Sequence, residues 1–121
     1  MKILIIDDVL EDLERTEEAV KEVLPDAELF TSSTEDTALE IAREEQPDFA
    51  VIDVVLKEMH GYALCKCLLE IAPDTLVIML TGSFNAINNK LATRSGATDF
   101  TVKTTAMAEF KRLLESTVAV A

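Results

Sequence analysis

The chain alternates unbroken apolar runs with longer stretches in which apolar residues return every three or four positions. Ile3-Leu4-Ile5-Ile6, Phe49-Ala50-Val51-Ile52 and Leu76-Val77-Ile78-Met79-Leu80 are the clearest runs. Such runs read as strands buried on both faces, as in a parallel sheet covered by helices. Weaker segments at Ala27–Thr31 and Thr98–Val102 predict two further strands. Between the strands, Leu10, Leu13, Val20, Val23 and Leu24 keep helical spacing and predict a helix ended by Pro25. Ser32 and Glu35 match a capping box that opens a second helix running to Glu45. A third helix starts at Gly61 and carries Leu64, Leu68 and Ile71 on one face, before the turn at Pro73-Asp74. Phe84–Arg94 has helical spacing at Ile87 and Leu91, but Asn85, Asn88 and Asn89 compete for backbone hydrogen bonds, so it is expected to be the least stable helix. Gly96 suits its C-terminal cap. A last helix after Lys103 presents Phe110, Leu113 and Leu114.

Five β–α repeats without a linker predict an α/β fold: one domain over residues 1–121, with a parallel sheet between two layers of helices and right-handed crossovers. Periodicity does not set the strand order. Ligands of open α/β sheets bind beyond the carboxyl ends of strands, where the order reverses. Pairing the first and third strands at such a point gives the flavodoxin-like order 2-1-3-4-5.

Composition narrows the partners. At 121 residues the chain suits one domain with a sizeable core. Its net charge of −12 argues against direct contact with nucleic acid or an anionic membrane, which need Lys and Arg. No apolar stretch approaches the roughly 20 residues needed to cross a bilayer, and nothing resembles a signal peptide. Cys65 and Cys67, two apart in a helical pattern, do not face each other and read as free thiols of a reducing compartment. A cytoplasmic location is expected. His60, the only histidine, reads as a solvent-exposed loop residue without a ligand or phosphodonor role.

The chemistry lies at the strand ends. The first strand runs into Asp7 and Asp8, and the third delivers Asp53. If the two strands are neighbours, three carboxylates converge, and they repel unless a proton or a cation joins them. Mg²⁺ suits such a site because it takes few carboxylates, keeps waters and accepts phosphate oxygens. Thr81 adds a hydroxyl and Lys103 a positive charge, so a phosphoryl group fits beside a carboxylate nucleophile. Plainer roles exist: Asp7 and Asp8 as caps of the first helix, Thr81 as a strand-end residue, Lys103 as a surface lysine, and Phe100 as simple core.

Taken together, Ile5-Ile6-Asp7-Asp8, Val51-Ile52-Asp53, Met59-His60-Gly61, Leu80-Thr81-Gly82, Gly96-Ala97 and Asp99-Phe100-Thr101-Val102-Lys103 resemble the receiver domain of two-component response regulators. The likeness is to single-domain receivers of the chemotaxis or sporulation-phosphorelay kind, and it covers essentially the whole chain. It implies that Asp53 is the phosphoacceptor, that Asp8, Asp53 and the Val55 carbonyl bind Mg²⁺ (or Mn²⁺) directly, and that Asp7 binds it through water. It also implies that Thr81 and Lys103 hold the phosphoryl group, and that Phe100 turns inward when Thr81 moves. The implied partners are a histidine kinase or histidine phosphotransfer protein and a downstream protein target. The target would be reached through the surface of the fourth helix, fifth strand and fifth helix.

The chain also departs from the family. Lys57 and Glu58 replace the usual residues of the loop after the phosphoacceptor, and Thr104 replaces the proline that commonly follows the lysine. A cis bond without proline costs about 2.5–4 kcal/mol, so Lys103–Thr104 is expected to be trans. The positions that tune self-dephosphorylation are Val55 and Ser83. Val55 cannot orient a water, so slow loss of phosphate is expected. The rival functions are a pseudo-receiver that only binds protein, a Mg²⁺-dependent aspartyl phosphatase and a flavin carrier. The phosphatase lacks an acid two residues beyond its nucleophile. The flavin carrier would need a Ser/Thr/Gly-rich phosphate loop where Asp8-Val9-Leu10-Glu11-Asp12 stands.

Overall fold

A computed structural model describes residues 1–56, 60–82, 94–104 and 106–120. In chain order the elements are β1 (Lys2–Ile6), α1 (Leu10–Val23), β2 (Glu28–Ser32), α2 (Glu35–Glu45), β3 (Phe49–Asp53), α3 (Gly61–Ile71), β4 (Leu76–Thr81), β5 (Asp99–Val102) and α4 (Ala108–Ala119). The strands form one parallel sheet in the order β2-β1-β3-β4-β5, as expected. Four helices lie among the described residues. The helix expected over 84–94 falls almost wholly outside them, as do Lys57, Glu58 and Ser83.

Alternation along each strand splits the core in two. Leu4, Ile6, Ala50, Ile52, Val77 and Met79 pack with Leu64, Cys65 and Leu68 of α3 and Ala38 and Ala42 of α2. Ile3, Ile5, Phe49, Val51, Ile78 and Leu80 pack with Leu13, Ala19 and Val20 of α1 and Phe110 and Leu114 of α4. Helices therefore cover both faces, which is why the central strands could be apolar at every position. β1, β3 and β4 are almost wholly buried, whereas every residue of the edge strand β5 is half-buried.

Three local readings change. Ser32 does not cap α2: it closes β2, where it pairs with Ile6, and its hydroxyl donates to the Thr34 carbonyl at 2.7 Å. The cap is Thr34, whose side chain accepts from the Thr37 N–H at 3.4 Å. Leu10 begins α1 but is 64% exposed, so the apolar stripe starts at Leu13. His60 is exposed as expected, and it also caps α3: its Nδ1 accepts from the Tyr62 N–H at 3.4 Å and its ring stacks on Tyr62. Cys65 and Cys67 are free thiols. No helix among the described residues is long and apolar enough to cross a membrane.

Candidate functional site

β1 and β3 are adjacent and in register from Ile3↔Phe49 to Ile6↔Ile52, so both chains leave the sheet at the same level. That register brings Asp7 and Asp8, just beyond β1, beside Asp53 at the end of β3. One carboxylate oxygen from each lies within 4.8 Å of the others. Asp7 and Asp53 are buried, and Asp8 is half-buried. β4 and β5 form the other wall. Asp53 pairs with Leu80 and Thr81 with Val102, and the Lys103 N–H donates to the Thr81 carbonyl at 2.6 Å. Lys103 is thereby aimed across the strand ends. Its Nζ lies 2.6 Å from Asp7 Oδ2, 2.9 Å from Asp12 Oδ2 and 3.7 Å from Asp53 Oδ2.

The backbone is fixed around these groups. The Asp7 N–H donates to the Ser32 carbonyl at 3.2 Å, and Asp7 Oδ1 accepts from the Val9 N–H at 3.0 Å. Neither Asp7 nor Asp8 is the N-cap of α1: that position is Val9, with no side-chain cap. The Val55 N–H points at Asp53 Oδ1 from 3.4 Å, while the Val55 side chain is exposed. Behind the loop, the Gly61 N–H donates to the Val54 carbonyl at 2.8 Å. A Cβ on Gly61 would run into the Asp53 carbonyl oxygen and lie 2.8 Å from Val54 Cα. Only glycine lets α3 start this close to β3. Thr81 is 1% exposed, and Phe100 packs from β5 against the α2–α3 side of the core. The Lys103–Thr104 bond is trans, as expected, and the Thr104 hydroxyl is buried without a hydrogen-bond partner among the described residues.

Burial, opposed by Lys103 and reinforced by Asp7, pushes the Asp53 carboxyl up to about 6. Burial alone would draw Lys103 down, but its hydrogen bonds to Asp7 and Asp12 and the nearby Asp53 charge hold the ammonium above its ordinary range. The hydrogen bond from Lys103, with partial burial against it and Arg15 in support, keeps Asp12 low. The donor set fits a hard divalent ion. Three oxygen donors converge from two strand ends, and among the described residues the four acids Asp7, Asp8, Asp12 and Asp53 outnumber the cations paired with them, Lys103 and Arg15.

Of the residues singled out from the sequence, Asp7, Asp8, Asp53 and Lys103 converge, and Thr81 and Val55 flank them. Phe100 stands apart, in register with Met79 in the sheet. Sequence reasoning missed Asp12. Its signal was spacing: it lies one helical turn beyond Asp8, on the first turn of α1.

Residues 3–115 match the family of the response regulator receiver domain, and the chain belongs to that family. Receiver domains are signalling switches of two-component regulators. The chain is 31% identical over 108 residues to the probable transcriptional regulator ycf27 of Porphyra purpurea, covering 84% of this chain and 41% of that protein. It is 34% identical over 65 residues to the transcriptional regulatory protein CreB of Escherichia coli, covering 54% and 28%. The chain thus spans well under half the length of these relatives. Among solved structures, the receiver domain of a DNA-binding response regulator from Colwellia psychrerythraea superposes with a TM-score of 0.84 at 18% identity over 98% of both chains. The response regulator TrrA of Thermotoga maritima, solved in complex with Mg²⁺ and beryllium fluoride, gives 0.83 at 20% identity over 95% of this chain and 96% of that one. At these identities the two structures speak to the fold.

Proposed function

We propose that this protein is a phosphorylation-driven switch in which Asp53 accepts a phosphoryl group from the phosphohistidine of a histidine kinase or histidine phosphotransfer protein. The observation that carries the reading is the meeting of Asp7, Asp8 and Asp53 under the Lys103 ammonium at the carboxyl end of the sheet. An Asp53 carboxylate oxygen attacks phosphorus; the O–P bond forms as the P–N bond breaks, and the electron pair leaves with the imidazole nitrogen. Asp53 is largely ionised at neutral pH, as a nucleophile must be. Asp8, Asp53 and the Val55 carbonyl would hold Mg²⁺ (or Mn²⁺), with Asp7 reaching it through water, and the ion would supply neutralisation of the phosphoryl oxygens.

Lys103 and the Thr81 hydroxyl take the remaining phosphoryl oxygens. The main-chain bond from the Lys103 N–H to the Thr81 carbonyl ties the two strand ends together, so a backbone shift at Thr81 is passed to β5. Phe100, three residues before Lys103 on the half-buried edge strand, turns inward with that shift and changes the β5–α4 surface offered to a downstream protein target. Turnover of a separate substrate is not part of this reading, and the setting is the cytoplasm. Treatment with acetyl phosphate and Mg²⁺ should add one phosphoryl group to the wild type and none to Asp53→Asn. Absence of the adduct in the wild type overturns the proposal.

A further inference from the structure

Lys103 is held by a residue outside the acid trio. Its ammonium has three N–H groups. One meets Asp7 Oδ2 at 2.6 Å and one meets Asp12 Oδ2 at 2.9 Å. Asp53 Oδ2, at 3.7 Å, is beyond hydrogen-bond range. The third N–H is left for an anion carried by Asp53, and closing the remaining distance pulls Nζ against its two partners. Asp7 is the fixed partner: it is buried at the end of β1, with its N–H on Ser32 and its second oxygen on Val9. Asp12 is the releasable one. Its side chain is 23% exposed, and its other oxygen, Oδ1, accepts from Arg15 at 2.7 Å. Arg15 is about half exposed and sits three residues along the same helix.

We propose that Asp12 is a latch that holds Lys103 back from Asp53 in the resting protein, and that Arg15 weakens the latch by sharing the Asp12 carboxylate. This inference rests on the reading of Asp53 as the phosphoryl acceptor. Asp12 is a positioning residue: it acts through Lys103 and lies outside the trio that could hold a metal. Two substitutions then have opposite signs. Asp12→Asn removes the charge that detains Lys103 and tightens the binding of a phosphoryl mimic. Arg15→Gln leaves both Asp12 oxygens to Lys103 and weakens it. A merely structural role for α1's first turn would move both variants the same way.

The test is calorimetric titration of beryllofluoride into the wild type, Asp12→Asn and Arg15→Gln in saturating Mg²⁺, with amide NMR of the strand ends as a second readout. Asp12→Asn is expected to bind about fivefold to tenfold more tightly, the weight of one partly buried charged hydrogen bond. Arg15→Gln is expected to bind about twofold to threefold more weakly, as suits a screened surface pair. Equal affinities in the wild type and Asp12→Asn, or shifts of the same sign in both variants, overturn the latch and leave the switch reading standing. A loss of Mg²⁺ affinity of about tenfold in Asp12→Asn makes that residue part of the metal site and also overturns it. Binding by Asp12→Asn alone supports the latch, and binding by none of the three proteins removes both readings.

Discussion

Replacing Asp53 with Asn should make the metal-free protein more stable at neutral pH, although it removes the residue on which the proposed activity depends. In the fold the Asp53 carboxyl ionises at about 6, chiefly because it is buried, with Asp7 and Asp8 adding repulsion that Lys103 only partly offsets. In the unfolded chain it ionises near pH 4. Because the folded value is the higher one, ionisation favours the unfolded state. Below about pH 4 both states are protonated and the residue contributes nothing. Between about 4 and 6 the unfolded chain gives up a proton that the folded chain keeps, and above about 6 the full penalty applies. About two pH units at 1.36 kcal/mol each give an upper bound near 3 kcal/mol, which solvent screening at the rim of the sheet reduces to about 1–2 kcal/mol. Asn keeps the shape without the charge, so Asp53→Asn should unfold about 4–8 °C higher than the wild type at pH 7.5, and the gap should close by about pH 4. On the proposed reading millimolar Mg²⁺ should shrink or invert the gap, because an ion held by this carboxylate would stabilise only the folded wild type. Paired thermal melts across that pH range decide the matter. A variant less stable than the wild type at pH 7.5, or a gap independent of pH, refutes the electrostatic account of the site.

Three further outcomes are expected. Gly61→Ala should cost about 2–4 kcal/mol in urea unfolding, since its Cβ would meet backbone atoms of Asp53 and Val54 that cannot rotate away; a cost below 1 kcal/mol, roughly the weight of an unstrained surface change, would show that α3 can slide off β3. Lys103→Met should destabilise the metal-free protein by about 3 kcal/mol, because it leaves the buried Asp7 charge unpaired, and Mg²⁺ should restore part of the loss; a neutral result in metal-free urea unfolding would mean that Asp7 is satisfied without it. The exposed Val55 offers no hydrogen bond to a water near Asp53, so the phosphorylated protein should persist for minutes or longer, and Val55→Asn should shorten that time about tenfold. Decay within seconds in the wild type, followed by intact-mass measurement, would count against this reading of the loop.

The sheet could be read from the sequence because the buried strands β1, β3 and β4 needed no polar face. Their apolar runs fix where the chain leaves the sheet, and so place Asp7, Asp8 and Asp53. The edges were harder to place. β2 and β5 each begin one residue later than their patterns predict. Ser32 looked like a cap because Ser-x-x-Glu is a local pattern, whereas its place in β2 is set by pairing with β1, which no local pattern carries. Leu10 kept the helical period yet points to solvent, because period alone does not say where the covering layer ends. Asp12 was hidden among Glu11, Glu14, Glu17 and Glu18. With Glu22 the helix carries six acids, and they look alike until the fold shows which of them faces Lys103.

The unequal burial of the strands has a mechanical consequence. β1 and β3, which carry the acids, are buried between both helical layers, while β5, which leads to the lysine, is half-buried and pairs within the sheet with β4 alone. Two walls of the pocket are thus more deeply buried than the third. On the proposed reading, a phosphoryl group drawn into it is registered as travel along the rim of the sheet, while the middle of the molecule stays still.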